Sequence, residues 1–144
     1  MNNQGFHEFP CVVVAAAIIY QDGKFLLTKR KFEAHQGGMW EFPGGKLEVE
    51  ETLEQCLRRE LQEEIGVEVT KLKPLSVFRH RYPDQEVELH FFSCSIFQGN
   101  PTPLECLEIA WVPRGELSSY VFPEADQPVL REILHGKFRG EFST

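Results

Sequence analysis

The segment Arg59-Glu60-Leu61-Gln62-Glu63-Glu64 packs three carboxylates into five residues. If it is helical, at about 100° per residue, Glu60, Glu63 and Glu64 fall within one arc of roughly 100° and share a helix face. Like charges at spacings of three and four residues oppose helix formation by about 0.2 to 0.5 kcal/mol per pair. A place near a helix C-terminus, where the macrodipole disfavours anions, adds to that cost. Nothing in the local sequence rewards the placement. A generic Glu-rich helix turns such an acidic face to solvent. Here Glu64 lies angularly between Glu60 and Leu57, so the cluster overlaps the apolar stripe and is expected to border packed structure. Hard divalent cations bind oxygen ligands, and magnesium takes a few carboxylates together with phosphate oxygens and waters. A cation would convert the repulsion into coordination.

The elements that must carry this cluster can be read from periodicity and turn chemistry. From Thr52 to Ile65 the apolar residues Leu53, Cys56, Leu57, Leu61 and Ile65 recur every three or four positions, and Gly66 follows as a stop signal. The spacing predicts an amphipathic helix. Cys11 to Tyr20 and Lys24 to Thr28 read as strands joined at Gln21-Asp22-Gly23. His35 to Gly45, with Gly37-Gly38 and Pro43-Gly44-Gly45, reads as loop, Met39 to Phe42 being briefly extended. Val67 to Phe78, Glu86 to Phe97 and Glu108 to Val112 are predicted strands, with turns at Tyr82-Pro83-Asp84 and Gly99-Asn100-Pro101. A last helix is predicted from Gln127 to His135, with Pro128 in its first turn and Asp126 near its N-cap. The order is strands, helix, strands, helix, without repeat or linker, which implies an α+β sandwich.

The chain has 144 residues, is 42% hydrophobic and contains 12 Phe, enough for one core, so residues 1–144 are read as a single domain. Lys plus Arg number 15 against 22 Asp plus Glu, a net charge of −7, which repels a nucleic-acid backbone. An anionic substrate then needs a cation to mediate. The longest apolar run, Cys11 to Ile19, is too short to span a bilayer and lacks the basic flank and cleavage site of a signal peptide, so a cytoplasmic location with no membrane partner is expected. Cys11, Cys56, Cys94 and Cys106 form no CxxC pair, which predicts reduced core thiols rather than disulfides or zinc ligands.

The glutamates belong to a longer pattern: Gly45, Glu51, Arg59-Glu60-Leu61, Glu63-Glu64 and Gly66-Val67. It resembles the Nudix box at every fixed position. Outside the box, Met39 to Lys46 and Phe122 to Val129 resemble the MutT and CTP-pyrophosphohydrolase branch of that family, and the likeness covers most of residues 10 to 135. The resemblance implies the Nudix fold, a mixed β-sheet sandwiched between α-helices. It also implies cleavage of a nucleoside triphosphate to the monophosphate and pyrophosphate, in nucleotide-pool sanitation, by a monomer or homodimer that uses Mg2+ or, in its place, Mn2+.

Carried over residue by residue, Glu60, Glu63 and Glu64 hold the ion with the carbonyl oxygen of Gly44, and Glu105 joins them from a loop before Trp111. Glu60, Glu64 and Glu105 are the catalytic candidates, Glu60 being favoured to orient or deprotonate the water. Glu51 and Arg59 look like a structural pair that pins the loop to the helix. Arg30 and Lys46 would meet phosphate oxygens, as this chemistry requires. His35, Phe42 and Asp126 complete the expected substrate-binding set, with His80 a further neighbour of the pocket.

The base is less legible. In MutT enzymes that act on 8-oxo-dGTP the position of Asp126 is Asn, which both donates and accepts; an ionised Asp only accepts. Asp126 would therefore suit a base presenting an amino group, such as cytosine, or read an oxidised purine if burial keeps it protonated; it could also simply cap the last helix. Gln85, where MutT-type sequences carry Arg, is a second departure from the 8-oxo-dGTP pattern. A nucleotide-binding sensor without catalysis is the alternative from another class. The intact glutamate set argues against it, because a pure binder has no use for carboxylates this costly to assemble.

Overall fold

A computed structural model describes residues 11–142. Strand β1 (Cys11–Ile18) leads through β2 (Tyr20–Gln21) into β3 (Lys24–Lys29), then β4 (Trp40–Glu41), β5 (Gly44–Lys46) and helix α1 (Leu53–Ile65). Strands β6 (Glu68–Arg81), β7 (Glu86–Gln98) and β8 (Glu108–Pro113) follow, then 3-10 turns at Arg114–Ser119 and Glu124–Asp126, and helix α2 (Gln127–Leu134). Asp22 and Gly23 both have positive φ, 50° and 79°, the conformation a tight hairpin turn between β2 and β3 demands.

Two sheets form. One has the order β5-β1-β7-β6, with β1 parallel to β7 and the other pairs antiparallel. In the other, β3 pairs with β8, and with β2 and β4. Alternation along the strands feeds two cores. Ala15, Ala17, Ile19, Leu26 and Phe92 pack with Cys56, Leu57, Leu61 and Ile65 of α1. Ala16, Ile18, Phe25, Leu27 and Phe91 pack on the other side with Val129, Leu130 and Ile133 of α2. Because β1 is covered on both faces and lies parallel to β7, its sequence is an unbroken apolar run rather than an alternating one. The predicted α+β arrangement of mixed sheet between helices is therefore observed.

The predicted limits shift in small ways. β6 runs on to Arg81 and passes Pro74 with register shifts on both sides of that residue, because a proline cannot donate to the ladder. α2 ends at Leu134, and His135 follows it as the C-terminal cap. Cys11, at the first position of β1, is exposed among the described residues, so the core-thiol expectation fails there. Cys56, Cys94 and Cys106 are buried and free. Among the described residues no helix is long and apolar enough to cross a membrane.

Candidate active site

Helix α1 opens with a reciprocal cap. The Thr52 hydroxyl accepts from the Gln55 N–H at 3.1 Å, and the Gln55 side chain accepts from the Thr52 N–H at 2.9 Å. Gly66, at φ 71°, closes it. The helix is thereby held in one register, with its apolar stripe on β1 and its acidic arc against the Gly44–Lys46 strand. Gly44 and Gly45 permit this approach. A Cβ on Gly45 would lie 2.2 Å from the Glu60 carboxyl carbon, and one on Gly44 would lie 2.0 Å from the Ala15 carbonyl oxygen. A side chain at position 44 would strike the β1 backbone, and one at position 45 would displace the Glu60 carboxylate.

The three helix glutamates differ in surroundings. Glu64 is 9% exposed and accepts a hydrogen bond from the Gly44 N–H at 3.1 Å. Burial, reinforced by the negative charges of Glu41 and Glu60, pushes its carboxyl up to about 8. Glu60, beside Gly45, is also raised by burial, against the pull of Arg59. Glu63 is the most exposed of the three, and its contact is with Arg59 at 3.2 Å.

Arg59 corrects the expectation that nothing local rewards the acidic arc. Its Nη1 donates to Glu60 Oε2 at 2.8 Å and to Glu63 at 3.2 Å, so one guanidinium offsets the like-charge repulsion. The same side chain forks onto Glu51, with Nε to Oε2 at 2.5 Å and Nη2 to Oε1 at 2.9 Å, and Nη2 also donates to the Lys46 carbonyl. Glu51 is held down to about 2, chiefly by these hydrogen bonds. Spacing alone could not reveal this, because the geometry depends on where the 46–51 loop returns to the helix.

A cleft of about 710 Å³ opens beside this cluster. It brings together Arg30, His35, Phe42, Gly44, Lys46, Glu60 and Asp126 from five separate segments of chain. Glu63, Glu64 and Glu105 do not line it. Glu105 is exposed, though its backbone N–H donates to the Glu64 carbonyl at 3.2 Å and its charge is felt at Glu60. Arg30 is not a loose cation: Nη1 donates to Glu41 at 2.6 Å and Nε to the His35 carbonyl at 2.7 Å. Phe42 is a buried wall, packed against Phe91 and Phe122. His80 stands outside the cleft with its ring on Tyr82.

Asp126 lines the cleft and is 5% exposed. It makes no side-chain cap bond to α2, so the simple helix-cap role is set aside: the 3-10 turn in front of the helix holds Asp126 in a helical backbone conformation unsuited to capping. Burial, with Glu41 opposing and Arg30 relieving, raises its carboxyl well above the usual carboxylate range.

Two residues of the site carried no assigned role in the sequence reading. Glu41, paired with Arg30, presses on Glu64 and on Asp126 alike. Its signal was a lone acid in the alternating Trp40-Glu41-Phe42. Tyr82, whose hydroxyl accepts from the Ala125 N–H at 3.0 Å, had no local signal, because its partner lies 43 positions away.

The donor set around Gly44 and Gly45 suits a hard cation: carboxylate oxygens, one of them buried and opposed by like charges, beside a glycine pair that leaves no side chain in between. Among the described residues no three carboxylates are yet gathered tightly enough to enclose an ion, since Arg59 draws Glu60 and Glu63 to itself.

Comparison with known proteins agrees with the geometry. A NUDIX domain family model matches residues 14–132. The chain is 35% identical over 123 residues to the CTP pyrophosphohydrolase of Escherichia coli, covering 85% of this chain and 91% of that protein. It is 32% identical over 121 residues to the Escherichia coli 8-oxo-dGTP diphosphatase, covering 83% and 94%. The solution structure of the E. coli ORF135 protein superposes with a TM-score of 0.76 at 31% identity, over 93% of this chain and 96% of that one. The chain belongs to the Nudix family. It is a Nudix hydrolase of the nucleotide-pyrophosphohydrolase kind.

Proposed function

We propose that this Nudix hydrolase is a Mg2+-dependent enzyme, with Mn2+ as a substitute, that cleaves a modified, oxidised or cytosine nucleoside triphosphate to the monophosphate and pyrophosphate. The observation that carries this reading is the cleft itself, lined by Arg30, Lys46 and Glu60 together with a buried Asp126. Such a site suits a ligand that is anionic at one end and a flat polar base at the other.

Glu60, Glu63, Glu64, Glu105 and the Gly44 carbonyl would hold the ion, which when bound neutralises charge on the phosphate oxygens. The chain's own groups do the rest. Glu60, its carboxyl raised by burial, orients and deprotonates the water. Arg30 and Lys46 hold phosphate oxygens, Arg30 being aimed by Glu41 and the His35 carbonyl. Phe42 walls the cleft. Asp126 reads the base.

The raised Asp126 favours its neutral form, which donates through O–H and accepts through C=O. That pair complements cytosine, which offers an amino donor beside a ring acceptor, and equally a guanine oxidised at C8, which offers a carbonyl beside a ring N–H. An 8-oxo-dGTP diphosphatase is thus the second reading, and it rests on the same neutral Asp126. Hydrolysis of CTP, dCTP, dGTP and 8-oxo-dGTP with Mg2+, with chromatographic product identification, tests the proposal. Monophosphate and pyrophosphate are expected; a diphosphate with orthophosphate in the first turnover would reject the cleavage site.

A further inference from the structure

We infer that Tyr82 is a positioning residue for base discrimination, acting through its hydroxyl on the turn that carries Asp126. Tyr82 follows β6 directly, in the turn before β7, and is 6% exposed. Its hydroxyl accepts the N–H of Ala125, a buried backbone donor next to Asp126, at 3.0 Å. The 3-10 turn holding Asp126 is otherwise closed locally, by the Asp126 N–H donating to the Pro123 carbonyl at 3.0 Å and the Gln127 N–H donating to the Glu124 carbonyl. The bond to Tyr82 is the one that ties the turn to a segment 43 positions away.

The Tyr82 ring is itself fixed on both sides. His35 meets it edge-on at 4.8 Å and His80 at 4.6 Å between ring centroids. His35 also contacts Asp84 of the same turn at 3.3 Å, and its carbonyl accepts from Arg30. Tyr82 is therefore braced to the loop that aims the phosphate-facing Arg30 at one side and joined to the Asp126 turn at the other. A phenylalanine would keep the ring packing and lose the acceptor, leaving a buried N–H without its partner and the turn free to shift.

This inference rests on the reading of Asp126 as the base contact, so the test carries both. Purified wild type, Tyr82→Phe and Asp126→Ala are compared by kcat and KM on the best and the second-best nucleotide, with amide exchange followed at Ala125. For Tyr82→Phe the ratio of kcat/KM between the two nucleotides is expected to contract at least about fivefold, KM rising more than kcat falls, with faster exchange at Ala125. A purely structural role lowers the melting temperature alone; a ratio within twofold of wild type while Asp126→Ala contracts it overturns the inference and leaves the base reading standing. If neither variant moves the ratio, the base reading itself has failed. If Tyr82→Phe moves it and Asp126→Ala does not, Tyr82 acts by another route and the inference is wrong.

Discussion

Each carboxylate in the site has a different energetic position, and the difference sets what its removal does. Glu64 is buried, opposed by Glu41 and Glu60, and held by a single backbone N–H. Glu64→Gln keeps the shape but replaces a hard oxygen donor with an amide that binds a hard cation poorly. A fall in turnover of at least about a hundredfold is expected from loss of metal-assisted charge stabilisation, while the melting temperature of the variant gains on wild type as pH rises through about 8, where the native side chain is forced to carry a disfavoured buried charge. Near-normal turnover at saturating Mg2+ would remove Glu64 from the ion site. Asp126 gives a pH signature. Its folded carboxyl is raised, so its contribution to stability is full below the unfolded value near 3.8 and is lost as pH rises through the folded value. Melting curves of Asp126→Asn across pH should therefore show the variant gaining on wild type as pH rises. An unchanged difference from pH 4 to 9 would mean that the carboxylate is not desolvated as described.

Helix α1 is the element on which everything else is hung, and Arg59 is its tie to the loop before it. The guanidinium fork onto Glu51 cannot be copied by the single ammonium of lysine. Arg59→Lys is expected to lower the melting temperature by loosening the 46–51 segment. Equal melting curves would sink this view of the pair. Glu51 gives the opposite pH sign to Asp126. Its folded carboxyl lies near 2, so the stability it contributes is present above the unfolded value near 4.5 and lost as pH falls towards 2. Strand β3 has a simpler weak point. Thr28 is fully buried and its hydroxyl meets no hydrogen-bond partner among the described residues. Thr28→Val keeps the branched shape and removes that desolvated group, for a gain of about 1 kcal/mol, or about 2 to 4 °C at this size. A loss of stability instead would show that the hydroxyl has a partner.

On the scale of the whole molecule, the fold stands on two apolar cores and the proposed chemistry on the seam between α1 and the sheet. The two should separate on metal removal. Chelation is expected to abolish hydrolysis while leaving the circular dichroism spectrum and cooperative melting intact, since no core residue depends on an ion. Collapse of the spectrum with chelator would make the metal structural. The net charge of −7 adds a second consequence: association with a polyphosphate substrate weakens when Mg2+ is scarce, because the substrate then meets the protein's field unscreened.

The glutamate arc, the helix under it, the hairpin at Asp22-Gly23 and the apolar faces were legible in the residues, because each is a local matter of period, cap or turn. The box residues Gly45, Glu51, Arg59, Glu60, Glu63 and Glu64 likewise stand close together along the chain, so spacing and resemblance reach them. What only the tertiary structure decided are relations between distant segments. Glu64 being buried and Glu63 turned towards Arg59 follows from how closely β5 approaches the helix across Gly44 and Gly45. Arg30 meeting Glu41 follows from the path of the loop between β3 and β4. Asp126 could be read from sequence as a helix cap or a base contact, since its type suits both; the 3-10 turn before α2 and the burial of its carboxyl in the cleft remove the cap and leave the contact to be tested. Tyr82 carried no signal beyond its place in a turn, because a hydroxyl's role depends on which backbone N–H the fold brings to it, and that donor lies 43 positions further along the chain.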